Sequence, residues 1–262
     1  MPKLPLPDGV ELHWEARGEG PLVVISAPCT SVPTAFTALG DDLARDHRVV
    51  LYDPRGTGQS TRTGPYEIPT DAKDLAHLLD ELGEPAVLVA FGDALHRVVE
   101  TSALRPELVS AIISPGVAPL GSGRDYRGVE DGLASSPAVV GALVQLFEND
   151  YRAGLRTVVE GGNPQFSAEQ VQKRIDAVVA NSPLEATVAR LRQWGSHDSR
   201  EPARRLGDRL YVLIFGGNVW FPPELETVLR RDVPEAQIVH VEDGAVSRPD
   251  LTAGVVRRIT RC

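Results

Sequence analysis

Residues 86–95, AVLVAFGDAL, constrain the fold of this chain more than any other stretch. Val87 to Ala90 form an unbroken apolar run, which is typical of a strand buried on both faces. A helical pattern begins with no spacer, so the backbone must turn sharply at Gly92. The small residues Ala90, Gly92 and Ala94 permit the strained backbone of such a turn. A buried strand that leads directly into a helix favours an α/β sheet over an all-β or all-α fold.

The same alternation continues through most of the chain. Strand patterns occur at 10–16, 22–25, 49–52, 109–114, 210–215 and 236–241, and the first of them is expected to be an edge strand. Helical patterns occur at 34–45, 70–82, 94–104, 224–231 and 251–259. A threonine cap at Thr70 and a terminal Gly83 delimit the second helix. This order predicts the α/β class, with a doubly wound, mostly parallel sheet.

Between residues 116 and 205 the apolar strand runs disappear. Helical patterns replace them at 138–147, 151–159, 168–179 and 184–194. We expect three parts: a first core segment 1–115, a helical cap 116–205, and a second core segment 206–262. A cap of this kind covers the carboxyl ends of the strands, where α/β sheets hold their ligands.

Charge and cysteine content exclude several classes of function. The net charge of −9 and the pI near 5.2 argue against binding to nucleic acid or to an anionic membrane surface. No stretch approaches the about 20 apolar residues of a membrane span, and the first residues do not resemble a signal peptide, so a cytoplasmic location is expected. The only cysteines, Cys29 and Cys262, provide neither a disulfide framework nor zinc spacing. We therefore predict no metal and no cofactor.

A motif at residues 49–60, VVLYDPRGTGQS, resembles the α/β-hydrolase superfamily, close to its proline-iminopeptidase-like and small ester hydrolase members. The resemblance covers nearly the whole chain. It implies an eight-stranded, mostly parallel sheet with helices on both faces and a pocket beneath a helical cap. In such proteins the loop carrying Asp53, Arg55 and Gly56 braces a turn and takes no part in the chemistry.

The resemblance also shows where a Ser-Asp-His triad is expected, and this chain departs from it three times. Gly92 stands at the serine of the G-x-S-x-G turn. Val219 stands at the acid position beside Asn218, and Ala245 stands at the histidine position, with no histidine beyond His240. The sequence thus predicts that the triad is absent. Small and apolar replacements suggest that these positions line a roomy, dry pocket.

Asp93 is the candidate catalytic residue. By the resemblance it faces the pocket, where burial would favour its neutral form and suit it to proton transfer. The alternative is an N-cap of the following helix. Its backbone N–H and that of Cys29 or Thr30 are the available donors for an oxyanion, since Pro28 has none. A carboxylate so close opposes an anion there, so acyl transfer through this hole is not expected.

The other candidates each have a structural alternative. Cys29 and Ser31 are either displaced nucleophiles or buried packing residues, and His96 is either a base or part of the packing beneath the turn. Trp194, His197 and Asp198 either line the pocket roof or stabilise the cap hinge. Trp220 and Phe221 either stack on a flat ligand or belong to the core. The predicted substrate-binding set is Cys29, Thr30, Asn218, Trp220, Phe221, Trp194 and His197.

Without a covalent serine, the sequence predicts a non-hydrolytic enzyme of secondary-metabolite biosynthesis. Its substrate would be a hydrophobic metabolite such as a polyketide, and the reaction a cyclisation, C–C bond formation, rearrangement or elimination. The first alternative is an inactive relative that binds a small molecule or a partner protein. The second is a hydrolase with a relocated nucleophile. A small hydrophobic ligand is the expected partner in each enzymatic case.

Overall fold

The computed structural model describes residues 3–116, 120–121, 137–216, 224–241 and 249–261. The strands are β1 Lys3–Pro5, β2 Glu11–Arg17, β3 Leu22–Ser26, β4 Arg48–Tyr52, β5 Ala86–Ala90, β6 Val109–Pro115, β7 Leu210–Phe215 and β8 Gln237–Val241. They form one eight-stranded sheet in the order β1-β2-β4-β3-β5-β6-β7-β8. Pairing is antiparallel between β1 and β2 and between β2 and β4, and parallel from β4 to β8. The prediction of a mostly parallel α/β sheet is confirmed.

The helices of the described ranges are α1 Thr37–Leu43, α2 Ile68–Leu82, α3 Ala94–Leu104, α4 Pro137–Asn149, α5 Tyr151–Gly162, α6 Ala168–Asn181, α7 Leu184–Trp194, α8 Arg200–Leu206, α9 Glu224–Asp232 and α10 Pro249–Thr260. Between β6 and β7 every described element is helical. None of the described helices is long and apolar enough to cross a membrane.

Helices cover both faces of the sheet. In the central strands the side chains on both faces are apolar, so both faces have to be buried. In β5, Leu88 packs in a cluster with residues of α2, α3, α8 and α9. Its neighbours Val87 and Val89 pack on the opposite face with residues of α1 and α10. A third apolar cluster joins α4, α5, α6 and α7, and it includes Cys29 and Val32 from the loop after β3.

Three local predictions are corrected by the structure. The strand predicted at 10–16 is β2, which is not at the edge, because Lys3 of β1 pairs with His13. The helix predicted at 34–45 is shorter, because a 3₁₀ turn at Pro33–Phe36 precedes α1. Thr70 is not a cap, because α2 begins at Ile68 with a proline in its first turn. Gly83 does end α2, with a left-handed φ of 71°.

Candidate functional site

The turn between β5 and α3 requires glycine for its conformation. Gly92 has a φ of +56°, in the left-handed region that side chains disfavour. Space is not the constraint, because a Cβ built on Gly92 would meet only the Cβ of Pro28, at 3.5 Å. The position above Gly92 is therefore open, and it faces a cavity.

This cavity has a volume of about 200 Å³ and lies at the carboxyl ends of the parallel strands. The loops after β3, β5 and β6 form its floor, which includes Pro28, Thr30, Ser31, Phe91, Asp93 and Gly116. Helices α4, α5, α6 and α7, called the cap below, form its roof with Leu143, Val158, Arg174, Leu191 and Trp194. Most of these side chains are apolar, so the cavity is an apolar chamber with a carboxylate on its floor and a guanidinium in its roof.

Asp93 borders the cavity directly after Gly92, and it is half-buried. Its side chain makes no capping bond to α3. Instead, the backbone N–H of Cys29 donates to the two carboxylate oxygens, at 3.0 and 3.3 Å. The N-cap alternative is thus not realised. Burial raises the pKa of Asp93 above its ordinary value, while Arg97 and the Cys29 N–H oppose this change.

Two buried arginines lie near this carboxylate without pairing with it. Arg97, four residues further along α3, donates to the Tyr52 hydroxyl at 3.3 Å and to the Ala27 carbonyl at 3.2 Å. Arg190 of α7 forms a bidentate ion pair with Asp71 of α2, with N···O distances of 2.6 and 2.8 Å. Their positive charges lower the pKa of Asp93, but burial has the larger effect.

Cys29 is suited to packing and poorly suited to attack. Its side chain is buried in the cap cluster, and the residue is not part of the cavity lining, unlike its neighbours Pro28 and Thr30. Burial, with the nearby Asp93 carboxylate, raises the pKa of the thiol well above its ordinary value. The thiolate form needed by a nucleophile is therefore disfavoured.

The structure separates the predicted polar and aromatic group of Trp194, His197 and Asp198. Trp194 lines the cavity. His197 Nε2 instead lies 2.9 Å from Glu100 of α3, and Asp198 pairs with Arg200 at the surface. His197 and Asp198 thus belong to the junction between α7 and α8, away from the cavity lining.

One Ser-His-carboxylate cluster was not anticipated from the sequence. Ser199 Oγ lies 2.9 Å from His96 Nδ1 and donates to Glu100 at 3.1 Å. Both Ser199 and His96 are fully buried, and neither borders the cavity. Burial lowers the pKa of His96 to about 3, so its ring is neutral at physiological pH. The cluster joins α3 to the chain before α8 and has no access to a substrate.

Several predicted site residues fall elsewhere. Val219, Asn218, Trp220, Phe221 and Ala245 lie outside the described residues. His240 is exposed on β8, 3.1 Å from Glu226, and does not approach the cavity. Within the described ranges, no group of three or more His, Cys, Asp or Glu side chains is arranged to hold a metal ion.

Hydrogen bonds and an ion pair fix the conformation of the loop after β4. Asp53 accepts from the backbone N–H of Gln59 at 3.0 Å, and Arg55 pairs with Asp74 of α2 at 2.6 Å. A Cβ on Gly56 would lie 2.3 Å from the Tyr66 ring, so only glycine fits. These contacts have the bracing character that the resemblance implies for this loop.

Comparison with known proteins adds sequence and structural relatives. No protein-family model matches the chain. It is 28% identical over 254 residues to "Putative carbamate hydrolase RutD" of Azorhizobium caulinodans, a match that covers 90% of this chain and 88% of that protein. A bromoperoxidase from Bacillus anthracis superimposes with a TM-score of 0.84 at 18% identity, over 97% of this chain and 96% of its own. An esterase from Exiguobacterium antarcticum gives a TM-score of 0.84 at 19% identity, over 98% of both chains.

These relatives overturn the predicted activity. The sequence relative is named a putative carbamate hydrolase, so this likeness points away from a non-hydrolytic reaction. The prediction of a non-hydrolytic enzyme of secondary-metabolite biosynthesis is wrong, since it inferred the reaction from the residues at the three triad positions, Gly92, Val219 and Ala245. The sheet order and these likenesses agree on the architecture. The chain therefore has the fold that defines the α/β-hydrolase superfamily.

Proposed function

We propose that this protein hydrolyses a small carbonyl compound, an ester or a carbamate, with Asp93 as the base that activates water. The observation that carries the proposal is the position of the Asp93 carboxylate, on the cavity wall directly after the open position at Gly92. The names of the relatives, a carbamate hydrolase and an esterase, support the choice of bond.

The reaction needs no covalent intermediate on the protein. A carbonyl carbon above Gly92 would be attacked by a water oxygen while Asp93 accepts the proton from that water. The protonated Asp93 then returns this proton to the leaving oxygen or nitrogen as the tetrahedral intermediate collapses. An ester gives a carboxylic acid and an alcohol. A carbamate gives a carbamic acid and an alcohol when its C–O bond breaks, or a carbonic acid monoester and an amine when its C–N bond breaks, and Asp93 is again ionised.

The surroundings of Asp93 suit this role. Burial raises its pKa and so makes the carboxylate a stronger base than an exposed one. The Cys29 N–H fixes its orientation. The backbone N–H groups of Ala94, Leu95 and His96 already donate to the carbonyls of Phe91, Gly92 and Asp93. The support for an oxyanion on the substrate is therefore the dipole of α3, which favours negative charge at the N-terminus of the helix.

The first test is hydrolysis of 4-nitrophenyl acetate, 4-nitrophenyl carbamate and δ-valerolactone by the wild type and Asp93→Asn. Loss of a general base typically costs 10²–10⁴-fold, so we expect kcat to fall about 100-fold or more with little change in KM. The matched control is Asp80→Asn, an exposed carboxylate that pairs with Arg105 at the surface. Its kcat should equal that of the wild type.

Two outcomes would reject the proposal. One is the absence of turnover above the buffer rate for every compound, and the other is a full rate in Asp93→Asn. A fluorophosphonate probe checks the chemistry separately. Because the mechanism uses water and not a serine, the active protein should remain unlabelled, and a labelled serine that tracks activity would replace Asp93 as the reacting group.

A further inference from the structure

Arg174 of α6 is the guanidinium in the roof of the cavity. In the described part of the chain it contacts the Ser31 hydroxyl, which accepts from it at 3.3 Å, and the Phe166 ring, whose centroid lies 5.7 Å away. No carboxylate of the described residues pairs with it. The arginines of the adjacent α5 differ, because Arg152 pairs with Asp176 and Arg156 pairs with Glu160 at the surface.

A half-buried cation without an anion is costly to the fold. Taking a guanidinium out of water carries a desolvation penalty that one neutral hydroxyl and a ring face offset only in part. Burial accordingly lowers the pKa of Arg174. A methionine or leucine would fill the same position in an apolar roof without this cost. The charge is therefore better explained by a ligand than by packing.

Trp194 lies in the same roof and lines the cavity. Its indole Nε1 is buried and has no hydrogen-bond partner among the described residues. Buried indole N–H groups usually have an acceptor. Because this indole nitrogen is enclosed by protein, the N–H donors available to an oxygen-rich group that enters the cavity are those of Arg174.

We propose that Arg174, assisted by Ser31, forms an anion subsite that binds a carboxylate of the substrate. Resting on the proposed function, this defines the substrate class as an ester or carbamate that also carries a free carboxylate. The negative Asp93 on the floor and the positive Arg174 in the roof would orient such a molecule, with its carboxylate toward the cap and its scissile carbonyl toward Gly92.

Binding is tested without turnover, using hexanoate and hexanamide in calorimetric titrations. The wild type should bind hexanoate at least about tenfold more tightly than the neutral amide, because hydrogen bonds to a charged group contribute about 1.5–3 kcal/mol. Arg174→Met should remove this preference. The matched control, Arg152→Met, changes an exposed arginine of the same cap and should keep it. Equal binding of both probes by the wild type, or an unchanged preference in Arg174→Met, would overturn the subsite.

A kinetic arm compares mono(4-nitrophenyl) glutarate with 4-nitrophenyl pentanoate. Arg174→Met should lower kcat/KM for the glutarate about tenfold or more relative to kcat/KM for the pentanoate. Arg174→Lys should retain part of the preference, since lysine keeps the charge without the planar fork. The melting temperature of Arg174→Met should equal or exceed that of the wild type. A lower melting temperature with equal losses on both esters would assign Arg174 a structural role instead.

The two proposals fail in different ways. If hexanoate binds through Arg174 while no ester is cleaved, the anion subsite stands and the proposed hydrolysis is rejected. If both esters are cleaved at equal rates through Asp93, hydrolysis stands and the subsite is rejected.

Discussion

Gly92 and Asp93 are adjacent, but the structure constrains them in different ways. Gly92 is required by the backbone, whose φ of +56° makes the sharp turn into α3, while its side-chain position is open. Asp93 does not cap α3, and its carboxylate accepts the backbone N–H of Cys29 instead. It holds a carboxylate on an otherwise apolar wall, which is why the proposed chemistry is assigned to Asp93.

At position 92 the expected effect of a side chain is backbone strain alone. Gly92→Ala should lower the free energy of unfolding by about 1–2 kcal/mol, the cost of left-handed backbone for a residue with a Cβ. Urea denaturation measures this change. Gly141→Ala is the control, because Gly141 is exposed in α4 with open space around it. There alanine should stabilise by about 0.5–1 kcal/mol. Equal effects at both positions would contradict the argument.

Asp93 should lower stability at neutral pH. Its folded-state pKa is raised above the ordinary value of 3.8, so the folded protein holds the proton more tightly than the unfolded chain. The contribution of Asp93 to the free energy of unfolding is then most favourable below pH 3.8, and it falls as the pH rises through the raised pKa. Asp93→Asn should therefore melt at a higher temperature than the wild type at pH 7, with the difference shrinking toward pH 3. A lower melting temperature for the variant at pH 7 would contradict this sign.

At the scale of elements, a buried ion pair connects α7 of the cap to α2 of the core. Asp71 of α2 and Arg190 of α7 are nearly inaccessible, and their contacts are 2.6 and 2.8 Å long. Arg190 also donates to the Arg55 carbonyl at 2.9 Å, in the loop after β4. The position of α7, and with it Leu191 and Trp194 in the cavity roof, therefore depends on this pair.

Breaking the pair from one side should be costly. Asp71→Asn leaves a buried guanidinium without its anion, and we expect the free energy of unfolding to fall by about 3–5 kcal/mol in urea denaturation at pH 7. The double variant Asp71→Asn with Arg190→Met should recover a large part of this loss. Asp176→Asn, in the exposed pair with Arg152, should leave stability unchanged. No recovery in the double variant would show that the pair itself is not the cause.

The same pair predicts a pH dependence of opposite sign to that of Asp93. Although burial opposes the change, the charge and hydrogen bonds of Arg190 lower the pKa of Asp71 in the folded protein. Its stabilisation is therefore present above pH 3.8 and is lost as the pH falls through the lowered pKa. The melting temperature of Asp71→Asn should therefore fall less between neutral and acidic pH than that of the wild type.

At the scale of the whole molecule, the pattern of apolar residues predicted the sheet and most helices well. Strand β7 at Leu210–Phe215 and helix α7 at Leu184–Trp194 have the predicted bounds. Periodicity succeeds here because each element buries one face or both. Strand β1 was missed, because its three residues are too short to show a period.

The site was predicted less completely than the fold. Thr30, Asp93 and Trp194 do border the cavity, and Cys29 and His197 do not. Arg174 was missed, because an arginine on an amphipathic cap helix has the same pattern as a solvent-exposed one. Only the packing of α6 shows that this arginine lies in the roof of an apolar chamber and pairs with no carboxylate of the described residues.

The sequence by itself determined the α/β class, the sharp turn at Gly92 and the absence of a serine there, since these depend on local periodicity and on the chemistry of single residues. Only the tertiary structure decided that Asp93 binds the Cys29 N–H instead of capping α3, and that Arg174 and Asp93 share one cavity. The physical reason is distance along the chain. Residues far apart in sequence acquire a common environment, and with it their pKa values and partners, only when the cap packs onto the sheet.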